Sequence, residues 1–154
     1  MDLRTRIQTA TKEAMKAKEA DRLSTLRLIS AAIKDREIAA RAEAGEAQGL
    51  SDADLMAILG KMVKQRQESA RAYEEGGRLE LAEKELAEIA VIQGFLPKQL
   101  SEDEAAQAVA QVIADLGAES LRDMGRVMAA LRERFAGQMD FGAVGPLVKA
   151  RLMS

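Results

Sequence analysis

The sequence predicts an all-α protein of two helical domains, four helices followed by three. Apolar residues recur at intervals of three and four along the chain, no stretch alternates with period two, and β-branched residues do not cluster. Ser/Asp and Ser/Glu pairs spaced by three open several of these periodic segments and glycines close them, as helix caps require. At 154 residues and 47% apolar composition the chain can bury a real core without disulfides.

The first helix carries Leu3, Ile7, Ala10 and Ala14 on one face. The second, from about Asp21 to Arg41, carries Leu23, Leu26, Ser30 and Ile33, and the AEAGEAQG stretch at 42–49 then turns the chain. Ser51 and Asp54 form a capping box for the third helix, with Leu50 and Leu55 as a hydrophobic staple. That helix runs to about Glu75, where Gly76-Gly77 favours a left-handed cap over further helix. The fourth, from Leu79 to Gln93, is expected to bury Leu79, Leu86, Ile89 and Ala90. Pro97 biases its predecessor away from helix and a new capping box, Ser101 with Glu104, follows, so a boundary is drawn between domains 1–96 and 97–154. In the second domain the fifth helix is lined by Ala105, Val109, Val112 and Leu116 and stopped by Gly117. The sixth, capped by Ser120 with Asp123, presents Met124, Val127, Met128, Leu131 and Phe135 and stops at Gly137. The last, after Asp140, presents Phe141, Val144, Val148 and Leu152, with Pro146 expected to kink it or delay its start.

There is no cysteine and no histidine, so Ser-His-Asp, Cys-His and zinc hydrolase mechanisms lack their essential groups. Nor does the sequence present a phosphate loop: Gly76-Gly77 follows a helix and lacks the Lys-Ser/Thr such a loop needs. No catalytic residue, cofactor or metal site is expected. The N-terminus opens on charged residues and no apolar run approaches spanning length, so a cytoplasmic protein without membrane contact is expected.

The net charge of −2 hides an asymmetry: residues 1–41 hold 10 basic against 6 acidic groups, whereas residues 79–154 hold 8 against 12. Arg27, Lys34 and Arg41 stand at i, i+7 and i+14 on the second helix, a ridge about 20 Å long. On the third helix Lys61, Lys64 and Arg71 lie about 180° from the stripe Leu55, Leu59, Met62, Arg66, Ser69 and Tyr73. Such ridges suit the phosphates of a folded RNA, although Asp35, Glu37 and Glu68 are near enough to neutralise part of each, as on an ordinary solvated helix. Aromatic residues make up only 3% of the chain, too few for base-stacking platforms. Arg66 falls inside the apolar stripe and needs a carboxylate, and Glu85 on the fourth helix is the expected partner in a structural ion pair.

Three blocks, LRLISAAIKDREI at 26–38, KMVKQRQESARAYEEGGRLELAEKELAEI at 61–89 followed by FLPKQLSEDE, and DMGRVMAALRERFAG at 123–137, together resemble the GatB/YqeY family, most closely its stand-alone YqeY-like members. The resemblance implies the same four-plus-three helical division. It also implies kinship with the tail of the B subunit of the tRNA-dependent amidotransferase, which holds the tRNA body, and the label carbon-nitrogen ligase with glutamine as amido-N-donor. It does not imply an active site, because the catalytic parts of that enzyme have no counterpart in these blocks. The matching blocks place Arg27, Lys34, Lys61, Lys64, Arg66, Tyr73 and Arg78 among the residues to test, and helical geometry adds Arg41 and Arg71. The expected function is therefore a tRNA-associated module, with tRNA, the amidotransferase or another translation-related protein as partners. The competing expectation is a protein-interaction adaptor that docks through the charged helical faces without nucleic acid.

Overall fold

In the computed structural model, which describes residues 2–44 and 49–153, the described residues form seven α-helices, a single 3-10 turn and no strand. They divide into two compact units, one up to Pro97 and the other from Lys98 onward.

In the N-terminal unit, α1 (Leu3–Lys16) starts where the Asp2 carboxylate accepts the Thr5 N–H at 2.7 Å, and it buries Leu3, Ile7, Ala10 and Ala14. A tight turn through Lys18, held at a φ of 56°, leads into α2 (Ala20–Ala44). Helix α2 buries Thr25, Leu26, Ile29 and Ile33. Ile29 thus takes the inward position expected of Ser30, which is exposed. Helical structure persists through Ala44, and the rest of the expected turn, 45–48, lies outside the described residues.

Helix α3 (Asp52–Glu75) begins with the complete capping box: Ser51 Oγ accepts the Asp54 N–H and the Asp54 carboxylate accepts the Ser51 N–H. Leu55, Leu59, Met62, Val63 and Ala70 face the core. Gly76 caps α3 at a φ of −84° and Gly77 makes the left-handed turn at 73°, a conformation that costs a residue with a Cβ about 1–2 kcal/mol. The chain reverses into α4 (Leu79–Gln93), which packs against α3 and α2.

The inward face of α4 is Ala82, Ile89 and Ile92. Of the residues expected there, only Ile89 is buried; Leu79 is 61% and Leu86 48% exposed, and Ala90 is exposed as well. Apolar residues surround much of this helix, so periodicity alone selects a face about 75° from the one the hairpin turns inward. Phe95 closes the core under the Arg6 guanidinium, which lies 5.7 Å from the ring centroid and donates to the Gly94 carbonyl at 3.2 Å.

The C-terminal unit contains α5 (Glu102–Leu116), the 3-10 turn Leu121–Asp123, α6 (Met124–Arg134) and α7 (Phe141–Met153) around Val109, Val112, Val127, Met128, Leu131, Val144, Val148 and Leu152. Gly117 caps α5 in the left-handed conformation its stop position requires, whereas α6 ends at Arg134 with Phe135 as its cap, so Gly137, left-handed at 75°, lies in the turn beyond the helix it was expected to stop. The Asp123 carboxylate accepts the Glu119 and Ser120 N–H groups, fixing the entry to α6. Pro146 is accommodated inside α7, which starts at Phe141 and continues to Met153.

Candidate nucleic-acid interface

Ion pairing decides which cations of the N-terminal unit are held by the fold itself. Arg66 does not meet Glu85: its Nε donates to Glu88 at 3.1 Å and its Nη1 to the Met62 carbonyl at 3.1 Å. Hairpin geometry explains the correction. Both helices rise about 1.5 Å per residue from the turn, and Arg66 and Glu88 are equally distant in sequence from Gly77, whereas Glu85 stands roughly 4.5 Å nearer the turn. With 15% and 18% side-chain exposure, the Arg66–Glu88 pair belongs to the α3/α4 packing surface. Tyr73, half-buried on the same stripe, sits at its rim.

On α2 the sorting runs the other way. Glu37, near enough in sequence to neutralise the basic ridge, is taken by Arg4 of α1 at 2.6 Å, and Glu43 is taken by Arg36 at 3.8 Å. Arg27, Lys34 and Arg41 are exposed and enter no ion pair among the described residues. Asp35 lies about 100° round the helix from this ridge. The ridge lies about 100° round the helix from the side buried by Leu26, Ile29 and Ile33; the exposed Ile38 (56%) shares its surface, while Leu28, exposed at 43%, lies about 120° from it. Their exposure could not be read from sequence, because only the packing of α2 against α1, α3 and α4 fixes which apolar positions face inward.

On α3, Lys61, Lys64 and Arg71 are exposed opposite the buried stripe, with the exposed Glu68 among them. Lys64 is already engaged within the structure. Arg78 caps the start of α4 through its backbone: its N–H donates to the Tyr73 carbonyl at 2.8 Å and its carbonyl accepts the Ala82 N–H, while the side chain is exposed. The ridge on α2 and the outer face of α3 therefore differ, the first all cationic along its length, the second interrupted by a carboxylate.

Carboxylates held below their usual range all serve as helix caps or ion-pair partners. Asp2 and Glu104 are lowered by the capping hydrogen bonds of Thr5 and Ser101, Asp115 by Arg134 and Gln111, and Asp123 by the Glu119 N–H, Arg126 and the Ser120 N–H. No three His, Cys, Asp or Glu side chains among the described residues stand close enough to hold a metal. No described helix is long and apolar enough to cross a membrane.

Comparison with known proteins places the chain. It is 36% identical over 100 residues to altered inheritance of mitochondria protein 41 of Eremothecium gossypii, covering 63% of this chain and 52% of that protein. The protein of the same name from Clavispora lusitaniae is 38% identical over 85 residues, 55% of this chain and 46% of that one. An uncharacterized protein of Schizosaccharomyces pombe is 29% identical over 89 residues, covering 58% and 68% of the two chains. The matched segments thus span about half the length of the first two relatives, both of which carry "mitochondrial" in their names. A model of Yqey-like proteins matches residues 4–152, nearly the whole sequence, and the chain belongs to the YqeY-like (GatB/YqeY) family.

Proposed function

We propose that this chain is a non-catalytic RNA-associated module whose α2 ridge meets the phosphates of a folded RNA, tRNA being the class that family kinship with the amidotransferase tail favours. The observation that carries this reading is the sorting of charge on α2. Glu37 and Glu43 are occupied by Arg4 and Arg36, and Arg27, Lys34 and Arg41 remain available along three turns or more of exposed helix. Cations placed in this way neutralise phosphates and release counterions without reading bases, and the scarcity of aromatic residues fits recognition of shape and backbone. Lys61, Arg71 and Arg78 supplement the ridge. The experiment is binding of unfractionated tRNA to the intact protein across a salt series: the reading expects binding at low salt that weakens steeply as salt rises, and no binding at low salt would sink it.

The exposure of Ile38 beside the same cations favours a second reading. An adaptor would use the mixed apolar and basic surface to dock a protein, the amidotransferase or a translation-related protein among the candidates. Capture of such a partner that survives nuclease treatment and is lost with Ile38→Gln, while tRNA binding is absent, distinguishes this reading from the first.

A further inference from the structure

The outward side of α4 has no place in the RNA reading. Leu79, Glu83, Leu86 and Ala90 stand at i, i+4, i+7 and i+11, within about 60° of one another round the helix and over about 16 Å of its length. All four are exposed, Leu79 at 61% and Leu86 at 48%. This strip lies about 100° from the Ala82–Ile89–Ile92 face that packs inward. Glu83 stands within the strip, Glu80 about 60° round from it on the first turn of α4, and Glu74 and Glu75 end α3 just before the Gly76-Gly77 turn; all four are exposed and none is in an ion pair among the described residues. The cations nearest in sequence are Arg78, the residue before the helix, and Lys84, about 100° round from the strip's nearer edge.

We infer that this strip is a docking surface for a basic amphipathic helix of a protein partner. Leucines spaced at helical intervals offer a groove for a second helix laid along α4, with three turns of contact. The carboxylates select the sign of the partner's flanking residues, Lys or Arg. A nucleic acid is disfavoured, since four carboxylates would repel its phosphates and the leucines offer them nothing. A two-fold pair of identical chains joined through this strip is disfavoured too, because it would oppose acidic clusters of like sign.

The test uses the full chain and two labelled synthetic helices that share leucines at i, i+4, i+7 and i+11, one with lysines and the other with glutamates on the flanks. Fluorescence anisotropy should show binding of the lysine peptide, weakened by salt, and at least tenfold poorer binding by Leu79→Gln/Leu86→Gln. The glutamate peptide should not bind. Because both leucines are exposed, far-UV circular dichroism and Tyr73 fluorescence should match the parent, and the ridge variant Arg27→Glu/Lys34→Glu should bind the lysine peptide like the parent. That last arm separates this inference from the RNA reading, which rests on α2. Equal binding by the parent and the leucine variant, a preference for the glutamate peptide, or no binding of the lysine peptide at millimolar concentration would overturn it. So would concentration-dependent self-association that the leucine substitutions abolish, which would assign the strip to a second copy.

Discussion

Replacing Glu88 by Ala should destabilise the N-terminal unit by about 2 kcal/mol, whereas Glu85→Ala should stay within about 0.5 kcal/mol. Arg66 is 15% exposed and in the first variant loses the one carboxylate it meets among the described residues, keeping its bond to the Met62 carbonyl. Breaking a fully buried pair costs roughly 3–5 kcal/mol, and residual access of water to both side chains reduces that figure. Tyr73, the single tyrosine in a chain without tryptophan, lies on α3 and gives a fluorescence signal confined to this unit. Thermal unfolding followed by Tyr73 should show a loss of roughly 10 °C for Glu88→Ala, from about 4–8 °C per kcal/mol in a domain of this size. The double variant Arg66→Met/Glu88→Leu should recover most of the loss, since an apolar pair of similar volume removes the stranded charge. A larger effect at Glu85 than at Glu88 would refute the hairpin alignment about Gly77, and failure of the double variant to recover would refute the assignment of the cost to an unpaired guanidinium.

Other expectations follow from the caps and the charge network. Gly77→Ala should cost about 1 kcal/mol or more because its φ of 73° opposes a Cβ, while Gly76→Ala, at −84° with ordinary contacts, should be neutral or slightly stabilising; chemical denaturation read by Tyr73 separates the two. Asp115→Asn should destabilise the C-terminal unit at neutral pH. Its carboxyl is lowered from 3.8 chiefly by the Arg134 hydrogen bond and then by Gln111, so the contribution is fully present above 3.8 and is lost as pH falls through the lower folded value. The stability gap between parent and Asp115→Asn, followed by circular dichroism, should therefore close in acid; a gap that widens there would contradict the assignment.

Most of the architecture was legible because local rules and packing agree. The buried face of α1 is the one its periodicity marks, the capping boxes at Ser51 and Ser101 open the helices they signal, and Gly77 and Gly117 turn left-handed where helices stop. The misreadings share a physical origin. Helix α4 has apolar residues on two sides, and which side turns inward depends on the hairpin path, not on composition. The same path brings Glu88 to Arg66 in place of Glu85, a match legible only by counting residues outward from Gly77. On α2, the spacing of Arg27, Lys34 and Arg41 was visible at once, but the capture of Glu37 by Arg4 is a contact between helices that no local pattern encodes. The functional surface was thus legible as a list of cations and illegible as a balance of charge, because pairing is settled in three dimensions.

The salt dependence of tRNA binding by the parent and by Arg27→Glu/Lys34→Glu tests the central claim most directly. If the α2 ridge seats on phosphates, the parent should show a log–log slope of roughly −2 to −3 from its three cations. The variant should bind at least tenfold more weakly, with a slope shallower by about one per cation removed. Equal affinity and equal slope for the two proteins would contradict the account and leave α2 as a solvated helix surface.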